Sequence, residues 1–420
     1  MSITRRQFLR QSATLTVGTS ISGFLGVAAR ASGTPTRSLV VLDLLGGNDS
    51  LSMVMPYEDP SYHSRRPNIA VPAAAALQVG SDAAGRRIGL HPRLTGLQTL
   101  FSQGRVALLQ RVGYENSSRS HFLGNDIWAT AYPSNAQGPG WLGRYLDALP
   151  SPVDPLVAWC TAAETPRGLV SRTVSVPSIP SLQTYTYSSL NSGAEAAFEL
   201  TIADRLASYV STDRPQLAFV DANFQSALAT LDRVAAVARY APTVTYPNSG
   251  LAQAFRTVAG AMVRGIGTKV FWVQTGGFDN HASEGVNETT GTYWNLMATL
   301  GDGLLAFAAD LANQGLWDQT LVLQFSEFGR RVFENGSKGT DHGSAATLFA
   351  AGGRVRGGLY GTAPDLSADL ANPTLENSAT DVHYETDFRS VYASVIDNWL
   401  GADSVSLLNG DFRKPGLNFV

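Results

Sequence analysis

The sequence has only one cysteine in 420 residues, so no disulfide bond can form within the chain. A fold without disulfides must be stabilised by its hydrophobic core, even in an oxidising compartment. The cysteine, Cys160, directly follows the apolar run Val157-Ala158-Trp159, which is typical of a buried strand. This position favours an inert core thiol over a reactive nucleophile.

Charged residues are also scarce in this chain. They make up 15% of it, against about a quarter in ordinary soluble proteins, while hydrophobic residues make up 44%. Such a composition excludes intrinsic disorder and a charge-driven nucleic-acid surface. The length fits two or three average domains, or one large α/β domain with insertions.

The amino terminus has the pattern of a twin-arginine export signal. Arg5-Arg6 is followed by an uncharged, moderately apolar stretch over residues 12–29 and by the cleavage pattern Ala29-Arg30-Ala31. We therefore predict a signal peptide over residues 1–31, export by the twin-arginine machinery, and a periplasmic or secreted location. The alternative is a short membrane anchor, but Thr, Ser and Gly dilute the apolar stretch too much for a stable span. Removing the signal takes the net charge from −3 to −7, which disfavours nucleic acid as a partner.

The remaining chain, residues 32–420, is predicted to form one α/β domain. Apolar strands alternate with helical patterns, which indicates a mostly parallel central sheet flanked by helices on both faces. Several strands end in turns that combine glycine with an acid or a histidine. The carboxyl ends of parallel strands meet at one edge of a sheet, so we expect these side chains to converge. They are Asp49, Asp279, His281, Glu327, Asp341 and His342.

Most of these positions also have a purely structural interpretation. Asp341-His342, which lies between two glycines, could be a polar turn whose Asp caps a helix near Ser344. Asp49 could form an Asx turn. Ser120, at a predicted helix start, is either an N-cap or a nucleophile, and His121 beside it is either a metal ligand or a base.

Two further segments are defined mainly by composition. Residues 172–247 are rich in Ser, Thr, Ala and Tyr, contain no histidine, and carry helical patterns near residues 194–210 and 216–239. We predict an inserted subdomain or lid there, which shapes specificity without supplying chemistry. Residues 56–89 have an irregular pattern rich in Pro, Ala and Arg, and are predicted to form a surface excursion.

The expected cluster mixes carboxylates with imidazoles, a ligand set that suits one or two divalent transition metals. Two such ions about 4 Å apart stabilise the attacking and leaving oxygens of phosphoryl or sulfuryl transfer. They would also leave a positive pocket for an anionic ester. A glycosidase would need paired carboxylates without metal-type histidines. A Ser-His-Asp hydrolase would need Gly-x-Ser-x-Gly after a strand, which the sequence lacks.

Six short motifs together resemble one bacterial family. They are Gly46-Gly47-Asn48-Asp49, Ser118-Arg119-Ser120-His121-Phe122, Gly140-Trp141-Leu142-Gly143-Arg144-Tyr145, Phe278-Asp279-Asn280-His281, Ser326-Glu327-Phe328-Gly329-Arg330 and Gly339-Thr340-Asp341-His342-Gly343. The family is exported by the twin-arginine route, is numbered 1501 among the domains of unknown function, and is grouped with the alkaline phosphatase and sulfatase superfamily. The resemblance covers nearly the whole mature chain. It implies an alkaline phosphatase-like fold with a metal site at the carboxyl edge of the sheet.

The superfamily resemblance also implies individual roles. Asp49 matches the superfamily's first Asp, and Ser120 matches its nucleophile at a helix start. The pair Asp341-His342 matches its Asp-His motif, and His383 matches its final histidine.

The chain departs from the superfamily pattern in two places. Asp279 and His281 are two residues apart rather than four, and Ser283 stands where the usual histidine would be. Two other serines, Ser50 and Ser118, compete for the role of nucleophile. Such departures point to one metal instead of two, to a different metal, or to lost catalysis.

Two hypotheses follow. In the first, the protein is an exported metal-dependent hydrolase of phosphate or sulfate esters, in which Ser120 attacks, His121 assists, and Arg330 steadies the anion unless it is a surface arginine. The one or two divalent ions are Zn, Mn, Fe or Ca, and their predicted ligands are Asp49, Asp279, His281, Asp341, His342 and His383, with Glu327 as a ligand or a partner of one. In the second, the protein is a noncatalytic binding or assembly protein with at most a structural metal. The sequence leaves the oligomeric state open.

Overall fold

A computed structural model describes residues 37–187, 189–208, 214–367 and 381–420. These residues belong to one compact unit. The predicted signal peptide, residues 1–31, lies outside the described residues. No helix in the described ranges has both the length and the hydropathy needed to cross a membrane.

The strands of the described ranges form one large sheet and two small ones. In chain order they are β1 (Ser38–Leu44), β2 (Val54–Met55), β3 (Leu77–Ser81), β4 (Arg87–Leu90), β5 (Val106–Gly113), β6 (Ala158–Cys160), β7 (Val270–Thr275), β8 (Thr320–Phe325), β9 (Arg330–Glu334), β10 (Thr340–His342), β11 (Ala346–Gly352), β12 (Gly358–Tyr360) and β13 (Thr386–Asp387). The large sheet has the order β12-β5-β11-β8-β1-β7-β6, with β13 beside β5. The small sheets are β9-β10 and β2-β4-β3.

Helices separate most of these strands along the chain. They are α1 (Ser50–Met53), α2 (Pro60–Arg65), α3 (Thr95–Ser102), α4 (His121–Thr130), α5 (Trp141–Asp147), α6 (Ala194–Ala207), α7 (Pro215–Ala238), α8 (Gly250–Val263), α9 (Thr292–Asn313), α10 (Phe388–Val395) and α11 (Ser404–Leu408). Short 3₁₀ helices lie at Arg167–Leu169 and Trp317–Gln319, and a π-helical turn at Ile396–Leu400 continues α10.

The central strand β1 explains why both faces of the sheet carry helices. It pairs in parallel with β7 on one side and with β8 on the other. Leu39 and Val41 point into a core shared with α4, α5 and α10, whereas Val40, Leu42 and Leu44 point into a core shared with α3, α8 and α9. Because side chains alternate along a strand, one that is apolar on both faces must be covered on both. The predicted α/β fold, with a mostly parallel sheet flanked by helices, is confirmed.

One strand of the large sheet runs against the others. β11 is antiparallel to both of its neighbours, β5 and β8. Its first residue therefore lies at the edge where the parallel strands end. The hairpin β9-β10 immediately precedes it, so Asp341 and His342 reach the carboxyl edge from a hairpin rather than from the tip of a parallel strand. No helix starts near Ser344, which excludes the capped-helix alternative for this pair.

The helices expected in the insertion are present as α6 and α7. The chain that follows them is fastened to the main core by Asp310 of α9, which is fully buried. Its carboxylate accepts hydrogen bonds from the Tyr240 and Tyr246 hydroxyls and from the Thr243 hydroxyl and N–H, at 2.7–3.0 Å. This carboxylate is satisfied by neutral donors, and it ties the end of the insertion to the core.

Residues 56–89 do not form the irregular surface excursion that their composition predicts. They contain α2 and strands β3 and β4 of a small antiparallel sheet. The side chains of Tyr62 and Arg66 in this segment are 0% exposed. The prediction was wrong because the strands are short and the buried arginine finds its partners in distant parts of the chain.

Candidate metal centre

The tips of β1, β7 and β8 meet at the carboxyl edge of the sheet, and a glycine allows their close approach. At Gly46, where φ is +119°, a Cβ atom would lie 2.5 Å from the backbone nitrogen of Asp279. Only glycine fits such a contact and such a backbone angle. The Gly46 N–H donates to the two carboxylate oxygens of Glu327 at 2.9 and 3.2 Å. The three strand tips are thus fixed to one another.

His121, the first residue of α4, is oriented by Glu327. Its Nδ1 lies 2.7 Å from Glu327 Oε1, and this glutamate is only 1% exposed. On the other side of the ring, Nε2 lies 3.5 Å from Asp279 Oδ2. A carboxylate at this position holds the ring proton on Nδ1 and leaves the Nε2 lone pair free.

His342 and His281 repeat the same arrangement. His342 Nδ1 lies 2.7 Å from the carbonyl oxygen of Arg119, and His281 Nδ1 lies 3.3 Å from Asp341 Oδ1. Their Nε2 atoms are 2.9 Å apart, and they lie 3.0 and 2.9 Å from Asp279 Oδ1. With the protons on Nδ1, the two Nε2 lone pairs face each other, and this is repulsive unless a cation lies between them.

These separations fit a metal ion. In zinc sites the nitrogen and oxygen ligands lie about 2.0–2.2 Å from the ion, so ligands at a right angle are roughly 3 Å apart. His121, Asp279 and His342 each offer a ligand atom within 4.8 Å of the others. Metal-ligating histidines usually donate their other ring N–H to a carboxylate or carbonyl, which is the geometry of all three histidines here. The candidate ligand set is therefore the triad His121, Asp279 and His342, to which we add His281 because its Nε2 lies 2.9 Å from both Asp279 Oδ1 and His342 Nε2.

The candidate centre is open to solvent. The side chains of Asp279 and His281 are 49% and 45% exposed. Structural metal sites are closed by protein ligands, whereas catalytic sites keep a position open for water or substrate. Three imidazole nitrogens suit Zn, Mn or Fe better than Ca, which takes oxygen ligands.

The electrostatics of the centre favour a charged Asp279 and a neutral His342. Partial burial opposes ionisation of Asp279, but the hydrogen bond and the positive charge of Arg330 outweigh it and hold the pKa of that carboxyl well below its ordinary value. The hydrogen bond from Asn335 is the largest influence that lowers the pKa of Asp341. Burial lowers the pKa of His342. A charged Asp279 and a neutral His342 are the forms that bind metals.

Arg330 lies beneath the centre, not over it, and so does not face an anionic substrate as predicted. Arg330 is buried, with only 1% of its surface exposed. It donates to Asp279 Oδ1 at 2.7 Å and to the backbone carbonyl oxygens of Gly46, Gly47, Phe278 and Thr340. This arginine therefore joins the tips of β1 and β7 to the β9-β10 hairpin.

Asp49 is paired with a buried arginine instead of contributing to the centre. It is 1% exposed, and its two carboxylate oxygens accept hydrogen bonds from Arg66 at 2.5 and 2.9 Å. The same guanidinium also donates to the Ser52 hydroxyl and to the carbonyl oxygens of Arg331 and Val332. With both oxygens committed to an arginine, Asp49 is a structural ion pair and not the metal ligand that the resemblance implied.

Ser120 adopts the capping alternative. Its hydroxyl oxygen accepts the N–H of Leu123 at 3.5 Å as the N-cap of α4, and the side chain is exposed. Its own N–H donates to the Ser118 hydroxyl at 3.2 Å. His383, the predicted final ligand, is 9% exposed, and its Nε2 has no hydrogen-bond partner among the described residues. No hydrogen bond in the described part of the chain joins its ring to the centre.

Some residues that shape the centre were missed in the sequence. Asn335 donates to Asp341 Oδ1 and to the carbonyl oxygen of His281, at 3.1 and 2.8 Å. Phe328 packs against two of the histidine rings, with centroids 5.0 and 4.6 Å away. The Asn-Gly pair at residues 335–336 is a hairpin signal, and it could have indicated that Asn335 lies near Asp341. No sequence signal marks the backbone carbonyl of Arg119.

Comparisons with known proteins return a family and distant structures. A family model described as "Protein of unknown function (DUF1501)" matches residues 107–405. The chain is similar to the PsFucS1 sulfatase from Pseudoalteromonas sp., with 12% identity and a TM-score of 0.34 over 91% of this chain and 72% of the sulfatase. It is also similar to the alkaline phosphatase of the Antarctic bacterium TAB5, with 12% identity and a TM-score of 0.29 over 78% of this chain and 95% of the phosphatase. No curated protein sequence matches the chain.

Proposed function

The chain belongs to the DUF1501 family of proteins of unknown function, and we propose that it is an exported, metal-dependent hydrolase of phosphate or sulfate esters. The observation that carries this proposal is the convergence of three imidazole Nε2 atoms on Asp279. Each imidazole has its Nδ1 beside an acceptor, so its Nε2 is left free beside the Asp279 carboxylate, at Oδ1 for His281 and His342 and at Oδ2 for His121. That arrangement is typical of histidines that bind a metal ion.

The charge of the loaded centre supports an anionic substrate. Three neutral imidazoles and one carboxylate around a dication leave a net positive charge, which attracts an anion. One arginine side chain stands near the same centre, since Arg331 Nη1 lies 3.9 Å from Asp341 Oδ2 and the side chain is 34% exposed. The guanidinium of Arg119, whose backbone carbonyl holds His342, is paired with Asp381. Phosphate and sulfate esters carry the charge that such a site favours.

Each residue of the centre has a separate task. A bound divalent ion would act as a Lewis acid on an ester oxygen. Asp279, His121, His281 and His342 would hold that ion. Glu327 keeps the His121 ring proton on Nδ1, and Asp341 does the same for His281, so both rings keep their orientation. Arg330 holds the tips of β1 and β7 against the β9-β10 hairpin.

Export is the part of the proposal that rests on sequence alone. The Arg5-Arg6 motif, the uncharged stretch over residues 12–29 and the Ala29-Arg30-Ala31 pattern support passage through the twin-arginine machinery. That route carries folded proteins, so the metal would be bound before export. The proposed location is the periplasm or the outside of the cell.

A second candidate function is a noncatalytic binding or assembly protein that keeps a metal. It is favoured by the pairing of Asp49 with Arg66 and by the capping role of Ser120. In a complete superfamily site, Asp49 would be a metal ligand and Ser120 would be the nucleophile. The openness of the centre favours the hydrolase, because a structural metal is normally enclosed.

Metal analysis followed by an activity screen tests the proposal. The natively purified protein is analysed for bound metals, then reconstituted with Zn, Mn or Fe and assayed with phosphomonoesters, phosphodiesters and sulfate esters. We expect near-stoichiometric metal and hydrolysis of one ester class that chelation abolishes. Absence of metal near stoichiometry, natively and after reconstitution, contradicts the hydrolase. Stoichiometric metal without hydrolysis of any ester supports the second candidate instead.

A further inference from the structure

A cavity of about 550 Å³ lies at the carboxyl edge of the large sheet, between the insertion of residues 172–247 and helix α8. Thr161, which directly follows β6, and Gln274, the penultimate residue of β7, line it. Ligands of open α/β sheets bind beyond the carboxyl ends of the strands, and ligand pockets usually have volumes of about 300–1,000 Å³. The cavity thus has the position and the size of a ligand site. None of the four candidate metal ligands lines it.

The insertion supplies one wall of this cavity through residues 180–183. Just before them, the Ile179 N–H donates to the carbonyl oxygen of Cys160, the last residue of β6, at 2.8 Å. Just after them, the Tyr185 hydroxyl lies 2.7 Å from Thr230 Oγ1 of α7. The wall is therefore fixed at one end to the sheet and at the other end to a helix of the insertion.

Helix α8 supplies a second wall. Gly250, Gln253, Ala254 and Thr257 line the cavity, and their spacing of three and four residues puts them on one face of the helix. The core side of α8 is buried, with Phe255 0% exposed. At Gly250, a Cβ atom would meet no other atom within 4 Å. The helix is thus packed against the core on one side and leaves open space on the side of the cavity.

Arg256 carries the only charge among the described residues that line the cavity. It is exposed, and its Nη1 donates to Gln253 Oε1 at 3.4 Å. No carboxylate in the described ranges pairs with this guanidinium, whereas Arg233 of α7 is paired with Asp154 at 2.8 Å. Arginine binds a carboxylate through two parallel hydrogen bonds. One such guanidinium suits a ligand with a single negative charge, because a polyphosphate would need more cations.

The other polar side chains of the lining are neutral. Tyr240 donates its hydroxyl to Asp310 and is only 7% exposed, so its ring offers little surface on which a nucleic base could stack. Pro180 and Val237 add apolar surface to the walls. The remaining polar groups are amides and hydroxyls, which both donate and accept hydrogen bonds. They belong to Gln183, Gln253, Gln274, Thr161, Ser181 and Thr257.

We propose that this cavity binds a sugar acid, which is a polyhydroxylated molecule with one carboxylate. The carboxylate pairs with Arg256, and the hydroxyl groups exchange hydrogen bonds with the amides and hydroxyls of the two walls. The apolar part of the lining contacts the C–H surface of the sugar. This site is distinct from the metal centre, so its ligand does not depend on the proposed hydrolysis. It also gives the insertion a binding role.

Calorimetric titration of the metal-loaded protein tests this inference. D-Glucuronate and D-gluconate are the probes, while D-glucose lacks the charge and acetate lacks the hydroxyl groups. We expect the wild type to bind a sugar acid at least about tenfold more tightly than glucose or acetate, because a hydrogen bond to a charged group contributes more than a neutral one. Arg256→Gln should remove that preference. Gln183→Ala should weaken binding of the sugar acid by about threefold.

Two further variants serve as controls. Arg264→Gln makes the same change at the exposed end of α8, at a residue that does not line the cavity. Asp279→Asn, prepared in the same way, alters the candidate metal centre. Both variants should bind the sugar acid as tightly as the wild type.

The outcomes separate this inference from the proposed function. If neither sugar acid binds the wild type more tightly than glucose and acetate, or if R256Q binds as tightly as the wild type, the cavity is not a sugar-acid site. If D279N loses binding while R256Q keeps it, the probe binds at the metal centre, which also overturns the inference. If the protein holds no metal but R256Q alone loses the sugar acid, the inference stands and the hydrolase fails.

Discussion

Two aspartates, Asp49 and Asp279, follow parallel strands of the same sheet but have opposite environments. The side chain of Asp279 is 49% exposed, and its Oδ1 lies within 3.0 Å of two imidazole nitrogens and one arginine nitrogen. Asp49 is 1% exposed, and its carboxylate is paired through both oxygens with the buried Arg66. One carboxylate keeps Oδ2 facing a histidine and open to a cation, and the other has no oxygen left.

The difference teaches that position at a strand tip does not decide whether an acid binds metal. A buried carboxylate is stabilised by a cation or by several hydrogen-bond donors, and an arginine that binds both of its oxygens leaves neither free for a metal. Arg330 leaves Asp279 Oδ2 available because it contacts only Oδ1 of that carboxylate, while its other donors reach backbone carbonyls and, at 3.5 Å, His281 Nε2. The arginine next to each acid therefore determines its role.

The largest effect is expected from Asp279→Asn. The change removes the only carboxylate of the proposed ligand set, so metal affinity should fall by more than the roughly 10- to 100-fold seen when a ligand's partner is removed. Hydrolysis should fall to background. Dialysis against a metal buffer, followed by elemental analysis, measures the loss. The control is Asp302→Asn, an exposed acid on α9 near Arg93. If D279N bound metal as tightly as the wild type, Asp279 would not be a metal ligand.

Breaking the buried pair should cost stability instead of metal. Arg66→Met leaves Asp49 buried without a partner, which typically costs about 3–5 kcal/mol of unfolding free energy. The folded fraction should keep its metal. Urea unfolding and metal analysis measure both quantities. Arg65→Met is the matched control, because Arg65 is only half-buried over the Phe333 ring. If R66M were as stable as the wild type but lost its metal, the Asp49–Arg66 pair would serve metal binding and not stability.

Asp43 sharpens the comparison because it is a buried acid without an arginine. Burial raises its pKa to about 7 against the hydrogen bond from Gln274, compared with an ordinary value of 3.8. The folded state therefore holds this proton more tightly than the unfolded state, and stability is lost as pH rises from about 4 to 7. Asp43→Asn removes that loss, so its stability relative to wild type should grow by on the order of 4 kcal/mol between pH 4 and pH 8. A pH-independent difference in urea unfolding would show that the burial penalty is absent.

A smaller effect is expected at Glu327, which supports a ligand without being one. Glu327→Gln keeps the shape of the side chain but removes the charge beside His121 Nδ1. Metal affinity should fall by about 10- to 100-fold, as is typical for such partners. Competition with a metal chelator measures the change. An effect as large as that of D279N would instead place Glu327 among the direct ligands.

The smallest effect is expected from Ser120→Ala. Loss of the N-cap should cost about 1 kcal/mol of unfolding free energy. Hydrolysis should stay within a few-fold of wild type, since the hydroxyl caps α4. Thermal unfolding and steady-state kinetics measure the two quantities. Loss of nearly all activity at unchanged stability would assign Ser120 as the nucleophile after all.

The strands and the general position of the centre could be predicted from the sequence. The apolar run of β1 needs cover on both faces, and this requirement fixes the layered architecture. Asp279 and His281 follow β7 in a non-helical loop, where residues two apart can face the same way. Their spacing, which departs from the superfamily pattern, is compatible with a shared centre for that reason.

The pairing of Asp49 could not be predicted, because it depends on tertiary contacts. Arg66 lies 17 residues further along, in a segment whose short strands carry little periodic signal. Its other partners are the Ser52 hydroxyl and the carbonyl oxygens of Arg331 and Val332, and no side-chain pattern reveals the carbonyl contacts. The Asn-Gly pair at residues 335–336 signals the hairpin that carries Asp341 and His342, but the reversal of β11, which places this hairpin at the carboxyl edge, is set by strand pairing and could not be predicted.

The central claim is that three histidines and Asp279 hold one divalent ion. X-ray absorption at the metal edge of the reconstituted protein tests it most directly. The account predicts about one ion per chain, with nitrogen and oxygen neighbours at about 2.0–2.2 Å and outer-shell signals from three imidazoles. The signal of one imidazole should disappear in His342→Ala. An ion surrounded by oxygen alone, or no ion near stoichiometry, would contradict it.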